Sequence, residues 1–230
     1  MRKLLPLVLL SAFISSNAHA ADQAKLDARI EAAHQVLHEL MATPDRGIPD
    51  SVAMHATCVA VVPSFKKGAF VVGGEYGQGV VTCRTGHGWS APAFIQLTGA
   101  SFGFQIGGQA TDLVLVAVTH RGAQRLLHEK VKLGADVSVA AGPVGRDSQA
   151  STTALANAGF LTYSRTKGIF AGVDLNGDVV NQNIEDTETY YGHDVSFERT
   201  LSGGVRPHQS SMPFLRTVNE LFHAEARGTK

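Results

Sequence analysis

Hydrophobic positions at both ends of the chain follow the spacing of amphipathic helices. From Asp22 to Met41, apolar residues recur every three or four positions, at Leu26, Ile30, Ala33, Leu37 and Leu40. The pattern stops near Thr43-Pro44, since a proline disfavours helix at the residue before it. Near the other end, Ser211 and Pro213 suit a helix start, and Leu215, Val218, Leu221 and Phe222 supply one apolar face.

Between these helices the pattern changes to short runs rich in Val and Phe, separated by glycines at intervals of about ten residues. This spacing predicts antiparallel strands, with one short helix over 122–129. The many glycines favour tight bends in a curved sheet. We therefore predict an α+β fold, mainly antiparallel β, with a curved barrel-like sheet and amphipathic N- and C-terminal helices. The predicted strands are 57–62, 69–73, 79–84, 93–98, 102–107, 113–119, 136–141, 160–164, 168–174 and 178–181.

Two segments predict turns between strands. Asn176-Gly177 lies between two Val-containing arms, which is a strong hairpin signal. Its neighbours Asp174 and Asp178 could donate oxygens to calcium, but the glycine comes too early for an EF-hand loop. The glycine-rich segment 74–79 resembles a nucleotide-binding loop only superficially and is better explained as a hairpin turn.

The first twenty residues have the layout of a secretory signal peptide. Arg2 and Lys3 precede the apolar run from Leu4 to Ile14, and Ala18-His19-Ala20 forms a small-residue cleavage pattern. We predict a signal peptide over 1–20 and a single domain over 21–230, released into the periplasm or associated with the outer membrane.

Composition narrows the classes of function. The 20 Lys and Arg residues balance the 20 Asp and Glu residues, so no overall basic field attracts nucleic acid. Cys58 and Cys83 are the two cysteines of the chain, and export to an oxidising compartment favours a disulfide between them. The alternative is two small buried side chains in neighbouring strands. Their spacing disfavours zinc, and we predict no metal and no cofactor.

One motif could indicate an enzyme. Residues 99–103 match G-x-S-x-G, in which serine hydrolases expose a nucleophile, here Ser101, at a strand-to-helix turn. His120 and His193 are the candidate bases. The residues that follow are glycine-rich and alternating where a helix should begin, so we predict no catalytic residue, and a serine hydrolase stays a minor alternative.

Basic residues occur in pairs at predicted turns: Lys66 with Lys67, and Arg165 with Lys167. A basic turn can contact lipid headgroups, gaining roughly 1 kcal/mol per residue near an anionic surface. The alternative is charge that is simply solvated in a loop.

The order of segments from Ile48 to Gly192 resembles the SYLF domain, a lipid-binding domain of eukaryotic actin-patch adaptors and of many exported bacterial proteins. The residues that carry the resemblance are 66–70 (KKGAF), 74–79 (GEYGQG), 89–94 (WSAPAF), 103–107 (GFQIG), 111–114 (TDLV), 141–146 (AGPVGR), 163–172 (YSRTKGIFAG) and 190–192 (YYG).

The resemblance implies membrane-lipid binding, directed at phosphoinositides in eukaryotic members and sometimes accompanied by actin binding, and it implies no catalytic residue. Because export removes actin and phosphoinositides from reach, we expect the ligand to be an anionic bacterial phospholipid at the envelope. An envelope protein partner, in a structural or protein-interaction role, is the alternative. The expected headgroup contacts are Lys66, Lys67, Arg165, Lys167 and Arg146. The face formed by Leu26, Ile30 and Leu37 either inserts into the membrane or packs on the barrel.

Overall fold

The computed structural model describes residues 8–42, 47–128, 130–144, 148–166, 169–192 and 195–222. Side chains are described from Asp22 onward, except at 41, 68–72, 101–109, 148–151, 166 and 169–170. Of the predicted site residues, Arg146 and Lys167 lie outside the described residues, as does His193.

Eight strands form one sheet, and two of them are much longer than the sequence pattern predicts. The strands are β1 (Cys58–Thr85), β2 (Gly88–Trp89), β3 (Ala93–Ala117), β4 (Lys130–Lys132), β5 (Val139–Ala141), β6 (Phe160–Thr166), β7 (Ile169–Gly172) and β8 (Val179–Gln182). The prediction of separate strands over 57–84 was wrong, because β1 crosses this region without a break, and β3 does the same over 93–117. The two strands pair in antiparallel register from Cys58↔Ala117 to Val81↔Ala93, with irregularities at Val62/Phe65 and Ala69/Val71.

This two-stranded ribbon folds back on itself, so that the two ends of β1 meet. The backbone N–H of Arg84 donates to the carbonyl of Thr57 at 2.7 Å. A disulfide joins Cys58 to Cys83 at the same place, which confirms the predicted pairing. The two limbs approach so closely that a Cβ at Gly77 would lie 2.6 Å from a methyl group of Val62 and 2.8 Å from the ring of Phe65. Gly77 and Gly79 therefore serve close approach within a strand, and the predicted turn over 74–79 was wrong.

The remaining strands extend both limbs of the ribbon. β6 pairs with the last part of β3, from Asp112↔Arg165 to Ala117↔Phe160, and carries β5 (parallel) and β7. β8 pairs with the first part of β3, from Ile95↔Gln182 to Thr98↔Val179, and carries β4. The result is a mixed, mostly antiparallel and strongly curled half-barrel with helices at both ends of the chain, which confirms the predicted α+β fold class.

The hairpin predicted at Asn176-Gly177 is wrong. A turn does form there, with Gly177 at φ 95°, but β7 and β8 on either side of it do not pair with each other. Leu175 is buried and the N–H of Gly177 donates to the carbonyl of Leu133, so contacts with the segment after β4 hold the turn. Tertiary packing thus overrides the local hairpin preference.

The helices are α1 (Val8–Met41), α2 (Asp50–His55), α3 (His120–Leu126), α4 (Ser148–Asn157), α5 (Ile184–Tyr191), α6 (Phe197–Leu201) and α7 (Met212–Phe222). α1 and α7 confirm the two predicted terminal helices, although the described part of α1 is continuous across Ala20, from Val8 to Met41. Ser211 ends a 3₁₀ turn (Gln209–Ser211), and its hydroxyl donates to the carbonyl of His208. In the part of the chain that the structure describes, no helix is both long and apolar enough to cross a bilayer.

Two hydrophobic cores lie on opposite faces of the curled sheet. α1, α2 and α7 cover one face, where the apolar stripe of α1 packs with Val59, Val61 and Val114. The other core contains the disulfide, Phe65, Leu113 and Phe160, together with residues of α3 and α6. Because side chains alternate along a strand, neighbouring residues of β1 belong to different faces, and this alternation positions the basic residues described next.

Candidate functional site

A groove lies between α1 and the two limbs of β1. Its volume is about 310 Å³. Its walls are formed by Arg29 and Ala32 of α1 and by Pro63, Ser64, Lys66, Tyr76, Gly77 and Gln78 of β1. Lys66 is exposed and Tyr76 is 46% exposed at the groove. The described residues give Lys66 no ion-pair partner. The groove therefore presents a cation and an amphipathic ring to solvent.

The irregular backbone at Pro63-Ser64 shapes one wall of this groove. Ser64 has a φ of 52°, the left-handed region that non-glycine residues rarely adopt, and it lies at the register shift between Val62 and Phe65. Its N–H donates to a carboxylate oxygen of Asp112 at 2.9 Å, which holds the bulge. After the bulge, Phe65 faces one core and Lys66 faces the side on which α1 lies.

Arg29 contributes a second cation at the floor of the groove, which the sequence analysis did not identify. Its guanidinium donates to Asp186 at 2.5 Å and to Gln78 at 3.0 Å, and it lies 5.4 Å from the ring centre of Phe94. The side chain is 15% exposed. Its charge is thus shared with Asp186, while further guanidinium donors stay available.

Lys67 faces away from the groove, although it is adjacent to Lys66 in the sequence. Its ammonium lies 2.9 Å from the carboxylate of buried Glu75, across the two limbs of β1. Asp178 is 6% exposed and lies so close to Gly99 that a Cβ at that glycine would clash with its carboxylate. Burial, reinforced by the negative charge of Glu75, raises the pKa of Asp178 to about 6.

Arg165 is also occupied within the protein. It donates to Asp112 at 2.9 and 2.5 Å and forms an ion pair with Glu39 of α1. Lys66 and Lys67 were predicted to share a turn, but both lie in the paired strand β1. The structure therefore brings Lys66, Arg29 and Arg165 to the α1 side of the sheet and places Lys67 on the other side.

The apolar stripe of α1 lies in the core. Leu26, Ile30 and Leu37 are 3%, 1% and 0% exposed. The sequence allowed this face either to insert into a membrane or to pack on the barrel, and in the structure it packs on the sheet. Membrane insertion of these residues therefore requires α1 to leave the sheet.

The features expected of a serine hydrolase are missing from the motif around Ser101. Ser101 lies in the interior of β3, in register with Gly73, and the strand continues for many residues beyond it. The motif requires a sharp turn from strand to helix after the serine.

Among the described residues, no three His, Cys, Asp or Glu side chains come together in a way that could hold a metal ion.

Comparison with known proteins identifies the family. The family model for Ysc84, described as a Las17-binding protein actin regulator, matches residues 98–221, which run from within β3 to α7. The chain belongs to the Ysc84 family. This is the family of the SYLF domain, so the resemblance found in the sequence is confirmed.

Two relatives that match this chain are eukaryotic proteins longer than it. LAS seventeen-binding protein 3 of Saccharomyces cerevisiae is 34% identical over 178 residues, which are 76% of this chain and 39% of the relative. SH3 domain-containing YSC84-like protein 1 of Homo sapiens is 33% identical over 170 residues, 73% of this chain and 49% of the relative. The matched part of the chain thus spans about two fifths to one half of the length of these relatives.

Proposed function

We propose that this protein is an exported, non-enzymatic binding protein that recognises anionic phospholipid at the surface of the bacterial envelope, with the headgroup in the groove between α1 and β1. The observation that carries the proposal is Lys66, an exposed cation without an ion-pair partner among the described residues, on the wall of a groove with free space. A lysine near an anionic membrane contributes roughly 1 kcal/mol to binding.

The other walls of the groove suit the same ligand. Arg29 adds a second cation whose guanidinium can donate to a phosphate oxygen beyond its bonds to Asp186 and Gln78. The hydroxyl of Ser64 is a further donor at the groove wall. Tyr76 is an amphipathic ring of the type that prefers the headgroup level of a bilayer.

The two other described basic residues of the original prediction are less suited to headgroup contact. A headgroup that bound Lys67 would have to displace the buried carboxylate of Glu75, and one that bound Arg165 would compete with Asp112 and Glu39. Separating a partly buried ion pair leaves the abandoned charge without a partner, which costs free energy. We therefore assign headgroup contact to Lys66 and Arg29.

The family agrees with a binding role. The family description and the names of the relatives refer to binding of Las17 and to regulation of actin, and these statements apply to those proteins. The signal peptide predicted over 1–20 supports export to a compartment without actin. The family resemblance also implies binding to membrane lipid. Unlike actin, a membrane surface is present in the envelope.

The test is co-sedimentation of the purified protein with phosphatidylcholine vesicles that contain rising fractions of phosphatidylglycerol, at low and high salt. We expect binding to rise with phosphatidylglycerol and to fall with salt, because screening weakens exposed charge interactions. Lys66→Glu should weaken binding by about tenfold or more, since it both removes an attraction and adds a repulsion.

The matched control is Lys130→Glu, which makes the same charge change at an exposed lysine of β4. Equal losses from the two variants would show that only net charge matters and would overturn the assignment of the groove. If the unmodified protein binds no vesicle composition, lipid binding is wrong for this protein, and an envelope protein partner becomes the better explanation.

A further inference from the structure

The ribbon of β1 and β3 has a middle section with which no third strand pairs among the described residues. We call residues 68–74 of β1 and 100–108 of β3 the ribbon bend; its register runs from Gly68↔Gly108 to Gly74↔Ala100. The pairing of β6 with β3 stops at Asp112, and the pairing of β8 with β3 stops at Thr98. Among the described residues, the ribbon bend is therefore two strands wide, a width that is only marginally stable in water by itself.

The sequence of the ribbon bend contains no charged residue. Residues 68–74 read GAFVVGG and residues 100–108 read ASFGFQIGG, so that Phe70, Phe102 and Phe104 fall within it. Proteins usually protect free strand edges in water with lysines or other charges. A two-stranded section without any charge and with several aromatic residues is instead suited to an apolar environment.

The residues at the border of the ribbon bend suit the headgroup layer of a membrane. Gly74 and Ala100 are exposed at one border, and exposed Ala110 is in register with exposed Lys66 at the other. Tyr76 follows on the same strand and is 46% exposed. Lysine and tyrosine place an apolar stem or ring toward the acyl chains and a polar end toward water.

An ion pair whose two charges cancel holds the base of the ribbon bend together. The ion pair of Lys67 and Glu75 joins the two limbs at the point where the bend begins and ends. The bend is thus held as one unit next to the groove, because Lys66 and Tyr76 belong both to the groove wall and to the border of the bend.

We propose that the ribbon bend enters the interfacial layer of an anionic bilayer while Lys66 and Tyr76 stay at the level of the headgroups. The insertion is shallow, because the outer N–H and C=O groups of a two-stranded ribbon need water or headgroups as partners and cannot enter the hydrocarbon core. This inference rests on the proposed lipid binding and specifies the element that enters the membrane.

The test uses tryptophan fluorescence of two variants, Ala100→Trp at the border of the ribbon bend and Ala156→Trp on α4, both at exposed alanines. The native Trp89 gives the same background in each. We expect that vesicles containing phosphatidylglycerol shift the emission of Ala100→Trp to shorter wavelength, and that lipids brominated on the acyl chain quench it. Neither change is expected for Ala156→Trp.

A charge at the border provides a second measurement. Ala100→Asp should weaken vesicle binding several-fold while Ala156→Asp leaves it unchanged, and circular dichroism checks that both variants fold. Ala110→Trp replaces Ala100→Trp if the latter does not fold. Vesicle binding without any shift or quenching at the bend overturns the insertion and leaves headgroup binding intact. Absence of vesicle binding overturns both proposals.

Discussion

Asp178 brings an unbalanced negative charge into the sheet. It faces Glu75 and Lys67, with Asp174 nearby, so two buried carboxylates share one ammonium. Its folded-state pKa of about 6 lies above the value of 3.8 expected when the chain is unfolded. The folded protein therefore binds this proton more tightly than the unfolded chain does, and the ionised carboxylate destabilises the fold above pH 6.

We expect Asp178→Asn to raise the free energy of unfolding at pH 7.5 by roughly 2 kcal/mol, because the amide avoids the cost of a buried charge. The gain should shrink as the pH falls from 6 toward 4, where Asp178 is protonated in the folded protein. Urea unfolding between pH 4 and 8 measures the effect. Glu220→Gln, at an exposed carboxylate of α7, is the control and should change little. A gain that is the same at every pH would contradict the assignment of the titration to Asp178.

Lys66 and Lys67 show what the sequence could and could not predict about the site. Both were identified as basic candidates from their residue type alone. They fell between the predicted strands 57–62 and 69–73, where a turn was expected, and in a turn the two side chains are equivalent candidates for headgroup contact. In the observed strand they alternate, so one lines the groove and the other pairs with Glu75. Arg29 gave no local signal, since its approach to β1 depends on how α1 packs.

The helix α1 was predictable because its apolar spacing is a local property of the sequence. The surface against which this apolar face packs was not predictable, because it depends on contacts between residues distant along the chain. Ion pairs and hydrogen bonds fasten the described part of the helix: Arg29 binds Asp186, Tyr190 donates to Asp27 at 3.2 Å, and Arg165 binds Glu39.

Replacing Arg165 should loosen the C-terminal end of α1. In Arg165→Met the carboxylate of Asp112 loses its guanidinium partner and Glu39 loses its link to β6, so we expect a destabilisation of roughly 1 to 3 kcal/mol. Hydrogen exchange should rise most in residues 36–42. Arg125→Met, at an exposed arginine of α3, is the control. Unchanged exchange at 36–42 would show that core packing alone holds this end.

The long strands were missed for a physical reason. Glycines at 73, 74, 77 and 79 interrupt the apolar runs and predict turns when only neighbours are considered. In the ribbon some of these glycines allow the two limbs to approach, as Gly77 does against Val62 and Phe65. The missed helix α5 did carry a local signal, because Asn183 caps it by accepting from the N–H of Asp186.

At the scale of the whole molecule, the disulfide stabilises the closure of the sheet. Cys58 and Cys83 are separated by 25 positions, and a loop of this size gives about 3 kcal/mol by loss of entropy in the unfolded chain. We expect reduction, or the Cys58→Ala/Cys83→Ala variant, to lower the melting temperature by roughly 6 to 12 °C.

Differential scanning fluorimetry with and without reductant measures this effect. The double variant serves as the control, because a reductant should not change its melting temperature. An equal shift in the unmodified protein and the double variant would show that the reductant acts elsewhere.

The position of the disulfide also determines how the molecule bears force. Cys58 and Cys83 enclose residues 68–74, so the β1 side of the ribbon bend belongs to a closed covalent ring. A membrane that pulls on the bend puts this ring under tension at the disulfide. The two limbs of β1 cannot separate there unless the sulfur–sulfur bond breaks. β3 has no such crosslink, and hydrogen bonds and side-chain packing, not a covalent bond, hold it to β1. Under tension, therefore, β3 is the strand that yields first, and β1 is the strand that anchors.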